Sequence, residues 1–126
     1  MSYNARPFPA RPVILCVEDE PIHLVLRKKV LEREGYDVIG ASTLEDALTA
    51  LREAPVCATI ADHMLQGATG TELAKRMKES RPDVPIILFS GTVPEHLNAV
   101  DVFINKGEPT AEFLRIVREV VDRYYM

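Results

Sequence analysis

The chain has 126 residues and a mass of 14.1 kDa, which is the size of one ordinary domain with one hydrophobic core. Hydrophobic residues make up 47% and charged residues 27%, a composition that excludes a disordered or fibrous chain. The formal charge of −4 and the pI near 5.4 argue against direct nucleic-acid binding, which normally requires a basic face.

The first twelve residues carry three prolines and two arginines without periodicity, so we predict a flexible leader over 1–12 and a single domain over 13–126. The leader lacks the apolar centre of a signal peptide, and no apolar run is long enough to cross a bilayer. These features predict a cytoplasmic protein with no membrane partner. Cys16 and Cys57 lie in apolar runs without metal-ligand or redox spacing, which predicts two reduced core thiols.

Five short apolar runs alternate with helical patterns from Val13 onward. This alternation predicts an α/β fold built from strand–helix units around a parallel sheet. The runs are nearly continuous in apolar residues, as expected for strands that helices cover on both faces. The five predicted strands are 13–17, 37–41, 56–61, 84–89 and 102–104.

The first helix is predicted over residues 21–34. Pro21 suits its first turn, and Gly35 suits the left-handed conformation that often follows a helix. Three apolar residues fall on one side at helical spacing, which is typical of a face that packs on a core. These residues are Ile22, Leu26 and Val30.

Capping boxes mark the starts of the next two helices. Ser42 and Glu45 have this spacing before the second helix, and Thr69 and Glu72 have it before the third. The residues predicted to face the core are Leu44, Ala47, Leu48 and Leu51 in the second helix, and Leu73 and Met77 in the third.

The last helix is predicted after Pro109, with a long apolar stripe toward the sheet. The stripe consists of Phe113, Ile116, Val117, Val120, Val121 and Tyr124. Only residues 91–100 are available to connect the fourth and fifth predicted strands. A parallel crossover usually takes about a dozen residues or more, so the fourth helix is predicted to be shortened to about one turn or lost.

Acidic residues follow the first and third predicted strands. Glu18, Asp19 and Glu20 come directly after the first strand, and Asp62 follows the third. Ligands of an open parallel sheet bind beyond the carboxyl ends of the strands, where the strand order reverses. If the first and third strands flank that point, Glu18, Asp19 and Asp62 converge on one pocket. Clustered carboxylates repel each other unless a cation or protons intervene, and their oxygens suit Mg²⁺ with a phosphorylated companion.

Two further polar residues follow the remaining strands of the sheet. Ser90 comes after the fourth strand and Lys106 after the fifth, and a hydroxyl and a cation both suit phosphoryl oxygens. An aspartate can itself attack a phosphoryl donor and form an acyl phosphate, while metal and lysine offset the charge. This chemistry assigns the reactive role to Asp62.

Four stretches of the sequence resemble, in order and spacing, the motif blocks of response-regulator receiver domains. They are VILCVEDEP, ADHMLQGATGTEL, PIILFSG and VFINK, and the resemblance covers nearly everything after residue 12. It implies a doubly wound parallel sheet of order 2-1-3-4-5 in a flavodoxin-like three-layer sandwich. It also implies a two-component signalling domain rather than an enzyme, although one able to catalyse its own phosphotransfer and dephosphorylation.

The resemblance also implies roles at the carboxyl edge of the sheet. Asp62 resembles the phosphoacceptor of the family, and Lys106 the lysine that contacts a phosphoryl oxygen. Mg²⁺ would be held by Asp19, Asp62 and the main-chain carbonyl of Met64, with Glu18 acting directly or through water.

Signal output would depend on Ser90 and Phe103, which resemble the hydroxyl and the aromatic residue of the family's conformational switch. The implied phosphodonor is a sensor histidine kinase or a histidine phosphotransfer protein. The implied reader of the signal is an unidentified downstream protein, with no direct nucleic-acid contact.

Three other functions share parts of this pattern. A phosphorylation-independent pseudo-receiver stays open, because Glu18 replaces the family's more frequent aspartate and the fourth crossover is short. A magnesium-dependent phosphatase would need a second aspartate two residues after Asp62, where Met64 stands. A binder of flavin phosphate would suffer repulsion from Glu18 and Glu20 in its phosphate loop.

Overall fold

The computed structural model describes residues 11–62, 64–65, 68–94, 96–97 and 99–125, apart from the side chains of residues 64 and 125. Within these ranges the strands are β1 (Val13–Val17), β2 (Asp37–Ala41), β3 (Val56–Asp62), β4 (Met64–Leu65), β5 (Ala68–Thr69), β6 (Ile86–Ser90) and β7 (Val102–Asn105). The helices are α1 (Pro21–Arg33), α2 (Leu44–Glu53), α3 (Gly70–Ser80) and α4 (Thr110–Tyr125).

Five strands form one parallel sheet in the order β2-β1-β3-β6-β7. The short strands β4 and β5 pair with each other in a separate antiparallel hairpin. Because β6 and β7 are the fourth and fifth predicted strands, the predicted doubly wound order is confirmed. The chain moves outward from β1 on one side and from β3 on the other, so the order reverses between these two strands.

Apolar residues cover both faces of the sheet, as the continuous apolar strands predict. Every residue of β1 and β3 is buried. Successive side chains of a strand point to opposite faces, so Leu15 packs with α2 and α3 while Ile14 packs with α1 and α4. Leu51 and Met77 complete the first cluster, and Val117 completes the second.

The start of α3 confirms one predicted capping box, and the start of α2 corrects the other. Thr69 Oγ1 accepts from the backbone N–H of Glu72, whose side chain accepts from the backbone N–H of Thr69. At α2 the cap is Thr43 rather than Ser42, and its Oγ1 accepts from the N–H of Asp46. Two hydroxyl residues in succession, each followed by an acid three residues later, make the spacing ambiguous, and tertiary packing selects the second.

The predicted apolar face of α1 is wrong at Ile22 and Leu26, whereas Val30 is partly buried. The side chains of Ile22 and Leu26 are 66% and 58% exposed. The helix instead turns Leu24, Arg27 and Leu31 inward, with Leu31 fully buried and Leu24 partly buried. Apolar and charged residues are mixed around α1, so the spacing alone did not identify the inner face.

The predicted stripe on α4 is confirmed except at its end. Phe113, Val117, Val120 and Val121 are buried, and Ile116 packs partly buried against the same cluster. Tyr124 is 45% exposed, so the prediction that it packs toward the sheet is wrong. A helix of 16 residues spans about 24 Å, whereas five-residue strands span about 17 Å, so the last turn extends beyond the sheet.

The connection between β6 and β7 contains no helix among its described residues, as the short crossover predicts. Asp101 fixes its end: one carboxylate oxygen accepts from the N–H of Ile86 at 2.8 Å and lies 2.7 Å from Lys78 Nζ. This carboxylate therefore joins the loop to β6 and to α3.

The predicted leader lies mostly outside the described residues, which begin at Arg11. The guanidinium of Arg11 lies 3.2 Å from the Asp37 carboxylate and donates to the carbonyl of Tyr36. In the part of the chain that the structure describes, no helix is both long and apolar enough to cross a bilayer.

Candidate functional site

An ion pair lies at the carboxyl edge of the sheet. Asp62 is the last residue of β3 and only 8% exposed. Lys106 follows β7, and its Nζ lies 3.1 Å from Asp62 Oδ2. The N–H of Lys106 donates to the carbonyl of Ser90 at 2.9 Å, which extends the β6–β7 pairing by one step and fixes the position of the lysine. The fold thus places a cation against Asp62, as the sequence predicts.

Glu18 lies on the neighbouring strand end but has a different partner. It is 2% exposed, and its Oε1 accepts from Arg27 Nη1 at 2.9 Å. Its Oε2 accepts from the backbone N–H of Glu20 at 3.1 Å. Both oxygens of Glu18 therefore receive hydrogen bonds from within the domain.

The three expected carboxylates do not form one cluster. Asp19 is partly exposed in the loop after β1, directly beside Glu18. Among the described residues, no group of three or more His, Cys, Asp or Glu side chains could hold a metal ion. The convergence of Glu18, Asp19 and Asp62 expected from the sequence is therefore not found among the described residues, and Glu18 is paired with Arg27 instead.

The remaining donors still fit Mg²⁺ in chemical type. Asp62 ends β3 and Asp19 lies in the loop after the adjacent strand β1, and both offer hard carboxylate oxygens. Mg²⁺ typically takes one or two protein carboxylates and completes its octahedron with waters and phosphate oxygens. Two carboxylates at the strand ends, with one lysine beside them, match that requirement.

Ser90 and Phe103, the predicted switch residues, lie on neighbouring strands. Ser90 ends β6 and is 4% exposed. Its Oγ donates to the carbonyl of Thr92 at 2.8 Å and accepts from the N–H of Thr92. Phe103 lies on β7 opposite Leu88 and is partly buried. In this conformation the hydroxyl of Ser90 is held by its own loop.

Phe89 and Arg27 were not singled out from the sequence, yet they connect the two ion pairs. The Arg27 guanidinium lies 4.8 Å from the centroid of the Phe89 ring, and Lys106 Nζ lies 5.8 Å from it. Phe113 packs on the same ring at a centroid distance of 4.9 Å. Both cations gain from the electron-rich ring. Helical spacing could have placed Arg27 on the inner side of α1, because it lies three residues after Leu24 and four before Leu31.

Burial also governs the two cysteines, which are free and buried as predicted. Loss of solvation raises the pKa of Cys16 from 9.0 to about 11, and the adjacent Arg27 charge opposes this rise. The same loss raises the pKa of Cys57 to about 11. Both groups therefore stay protonated thiols near neutral pH.

Comparison with known sequences identifies relatives over most of the chain. The family model described as "Response regulator receiver domain" matches residues 14–107. The heme response regulator HssR of Staphylococcus saprophyticus is 31% identical over 116 residues, which are 87% of this chain and 51% of that protein. The phosphate regulon regulatory protein PhoB of Rhizobium meliloti is 31% identical over 121 residues, 89% of this chain and 53% of that protein. The chain thus spans about half the length of these relatives.

Solved structures show the same architecture. A response regulator receiver domain from Methanospirillum hungatei superposes with a TM-score of 0.85 at 28% identity, covering 92% of this chain and 98% of that one. The response regulator TrrA of Thermotoga maritima, solved in complex with Mg²⁺-BeF, gives a TM-score of 0.77 at 28% identity, covering 86% and 98%.

Proposed function

This chain belongs to the response regulator receiver domain family, and we propose that it accepts a phosphoryl group on Asp62 in a magnesium-dependent reaction. The observation that carries this proposal is the ion pair of Lys106 Nζ with Asp62 Oδ2, 3.1 Å apart at the carboxyl edge of the sheet. A nearly buried aspartate held by a lysine at a strand-order reversal suits phosphoryl transfer better than a structural role.

In the proposed reaction a carboxylate oxygen of Asp62 attacks the phosphorus of the donor. The new P–O bond forms as the bond from phosphorus to the donor's leaving atom breaks, and the leaving atom keeps the electron pair. Lys106 offsets the negative charge of the equatorial phosphoryl oxygens, the role expected of a cation in this transition state.

The proposed ligands of Mg²⁺ in this chain are Asp19, Asp62 and the main-chain carbonyl of Met64. When bound, the ion supplies charge neutralisation for the phosphoryl oxygens. The paired Arg27 and Glu18 lie beside this position with their charges mutually compensated.

Signalling is proposed to begin at Ser90. A phosphoryl group on Asp62 offers strong acceptor oxygens near the end of β6, so the Ser90 hydroxyl exchanges its bond to Thr92 for one to the phosphoryl group. The loop after β6 and the ring of Phe103 then adjust. The proposed donor is a sensor histidine kinase or a histidine phosphotransfer protein in the cytoplasm, and a downstream protein reads the altered surface.

The test uses the purified chain with Mg²⁺ and acetyl phosphate, or with beryllofluoride as a phosphoryl mimic. Intact mass is expected to rise by one phosphoryl group, and beryllofluoride to shift the amide resonances of Ser90 and Phe103. Asp62→Asn is expected to abolish both effects. Asp122→Asn, which changes an exposed aspartate on α4, is the matched control and should keep them. Retention of the mass gain in Asp62→Asn would contradict the assignment.

One observation favours a second candidate, a receiver-like interaction module that needs no phosphate. Glu18 is committed to Arg27, and no metal-holding group of three acidic, His or Cys residues is found in the described ranges. If the wild type at saturating donor shows neither a mass gain nor a shift of its amide resonances, the result would support this module over the phosphorylated switch.

A further inference from the structure

Arg27 is a nearly buried cation to which the phosphoryl transfer proposed above assigns no role. Its side chain is only 11% exposed, and its partner Glu18 is 2% exposed. Its guanidinium donates to Glu18 on one side and stacks on the Phe89 ring on the other. The guanidinium therefore places a positive charge between Glu18 and Phe89.

The pairing decides what Glu18 can do. One carboxylate oxygen accepts from Arg27 and the other from the backbone N–H of Glu20. A buried carboxylate with such partners is oriented by them and is costly to redirect, because breaking the pair leaves two uncompensated charges. Glu18 is therefore held by Arg27 and the Glu20 backbone, while Asp62 pairs with Lys106.

This arrangement also sets the local charge. Glu18 and Arg27 compensate each other, and Asp62 and Lys106 form a second pair. Asp19, on the partly exposed loop, adds a further carboxylate. A metal ion thus meets a less negative site than three carboxylates on their own would provide.

We propose that Arg27 is a positioning residue that withholds Glu18 from the metal, so that Asp19 and Asp62 are the only carboxylates that bind Mg²⁺. Removing Arg27 releases Glu18 and makes the site bind Mg²⁺ more tightly. The inference rests on the proposed function in that it places Mg²⁺ at this edge of the sheet.

A double-mutant cycle tests the inference through the Mg²⁺ dissociation constant, measured from amide shifts or calorimetry without any phosphodonor. The chains are the wild type, Arg27→Met, Glu18→Gln and the double variant. Arg27→Met is expected to bind Mg²⁺ about tenfold more tightly than the wild type. Glu18→Gln is expected to bind more weakly, because it leaves the Arg27 charge uncompensated.

The double variant is the decisive member of the cycle. If Glu18 is withheld in the wild type, replacing both partners by neutral groups leaves the ligands intact, and the dissociation constant stays within about twofold of the wild-type value. A double variant that binds at least about tenfold more weakly would show that Glu18 is itself a ligand. This variant leaves no buried unpaired charge, so it is expected to fold even if Arg27→Met does not.

The outcomes separate the inference from the proposed function. Asp19→Asn and Asp62→Asn are each expected to weaken Mg²⁺ binding strongly. Saturable wild-type binding with equal dissociation constants across the Arg27 cycle would overturn the inference alone. Absence of Mg²⁺ binding in every chain would overturn both the inference and the proposed function. Binding that appears only in Arg27→Met would support the inference that Arg27 withholds Glu18, but it would overturn the magnesium-dependent function of the wild type.

Discussion

Lys106 and Asp62, 44 residues apart in the chain, lie 3.1 Å apart at the carboxyl edge of the sheet. Strand β6 separates their strands, so only the complete sheet brings them together. The side chain of Lys106 is 32% exposed and that of Asp62 is 10% exposed, so solvent reaches the pair mainly at the lysine.

Replacing Lys106 by methionine should therefore slow phosphorylation without unfolding the domain. The apolar stem is retained and the charge is lost, so we expect the initial rate of phosphorylation by acetyl phosphate to fall at least about tenfold. Lys75→Met removes an exposed lysine of α3 and should leave the rate unchanged. Intact mass against time gives both rates, and equal rates for the two variants would exclude a role for Lys106.

Asp101 should stabilise the end of the short connection between β6 and β7. Its carboxylate satisfies the N–H of Ile86 and pairs with Lys78, so Asp101→Ala leaves a buried donor without an acceptor. We expect the free energy of unfolding in urea to fall by about 1–3 kcal/mol and the Ile86 amide to exchange faster. Asp122→Ala on the exposed face of α4 should change stability by less than about 0.5 kcal/mol. Unchanged exchange at Ile86 would contradict this role.

The N-cap of α2 can be tested with two neighbouring residues. Thr43→Ala removes the acceptor for the N–H of Asp46 and should lower the free energy of unfolding by about 1 kcal/mol. Ser42→Ala is the matched control and should cost less than about 0.5 kcal/mol. The reverse order in urea denaturation would restore Ser42 as the cap.

The buried thiols predict a loss of stability at alkaline pH. The pKa of Cys16 and of Cys57 is about 11 in the folded chain, against 9.0 for an ordinary thiol. The folded state then binds these protons more tightly, so their contribution is fully present below pH 9.0 and is lost as pH rises toward about 11. The urea concentration at the unfolding midpoint should fall as the pH rises from 9.0 to about 11, and it should fall less in the double variant Cys16→Ala/Cys57→Ala.

Reactivity provides an independent readout of the same burial. Near pH 8 both thiols should resist a maleimide in the native chain and react at once in urea, because a thiolate is needed and neither group is accessible. Labelling of the native chain at the unfolded rate would contradict the assigned burial.

Strand positions and the placement of Asp62, Ser90 and Lys106 at the strand ends could be predicted because each depends on local residue order. Continuous apolar runs predicted the five sheet strands, and the short crossover predicted that the described residues between β6 and β7 form no helix. The capping box at Thr69 was predictable because it satisfies its own backbone donors within four residues.

Other features depended on packing. The inner face of α1 was predicted wrongly, because Arg27 occupies an inner position that an apolar residue would normally take, and its acceptability depends on Glu18. Tyr124 was predicted as buried because periodicity does not reveal where the sheet ends. The cap at Thr43 depends on which of two equivalent hydroxyls the docked helix presents.

The sequence by itself determined which chemical groups stand at the strand ends, because every strand and the residue after it are contiguous in the chain. Only the tertiary structure decided how those groups pair. Asp62 meets Lys106 across an intervening strand, and Glu18 meets Arg27 from the adjacent helix rather than Asp19 and Asp62 around one ion. The physical reason is that the energy of an ion pair depends on the distance between the charges and on their desolvation, which the order of residues does not specify.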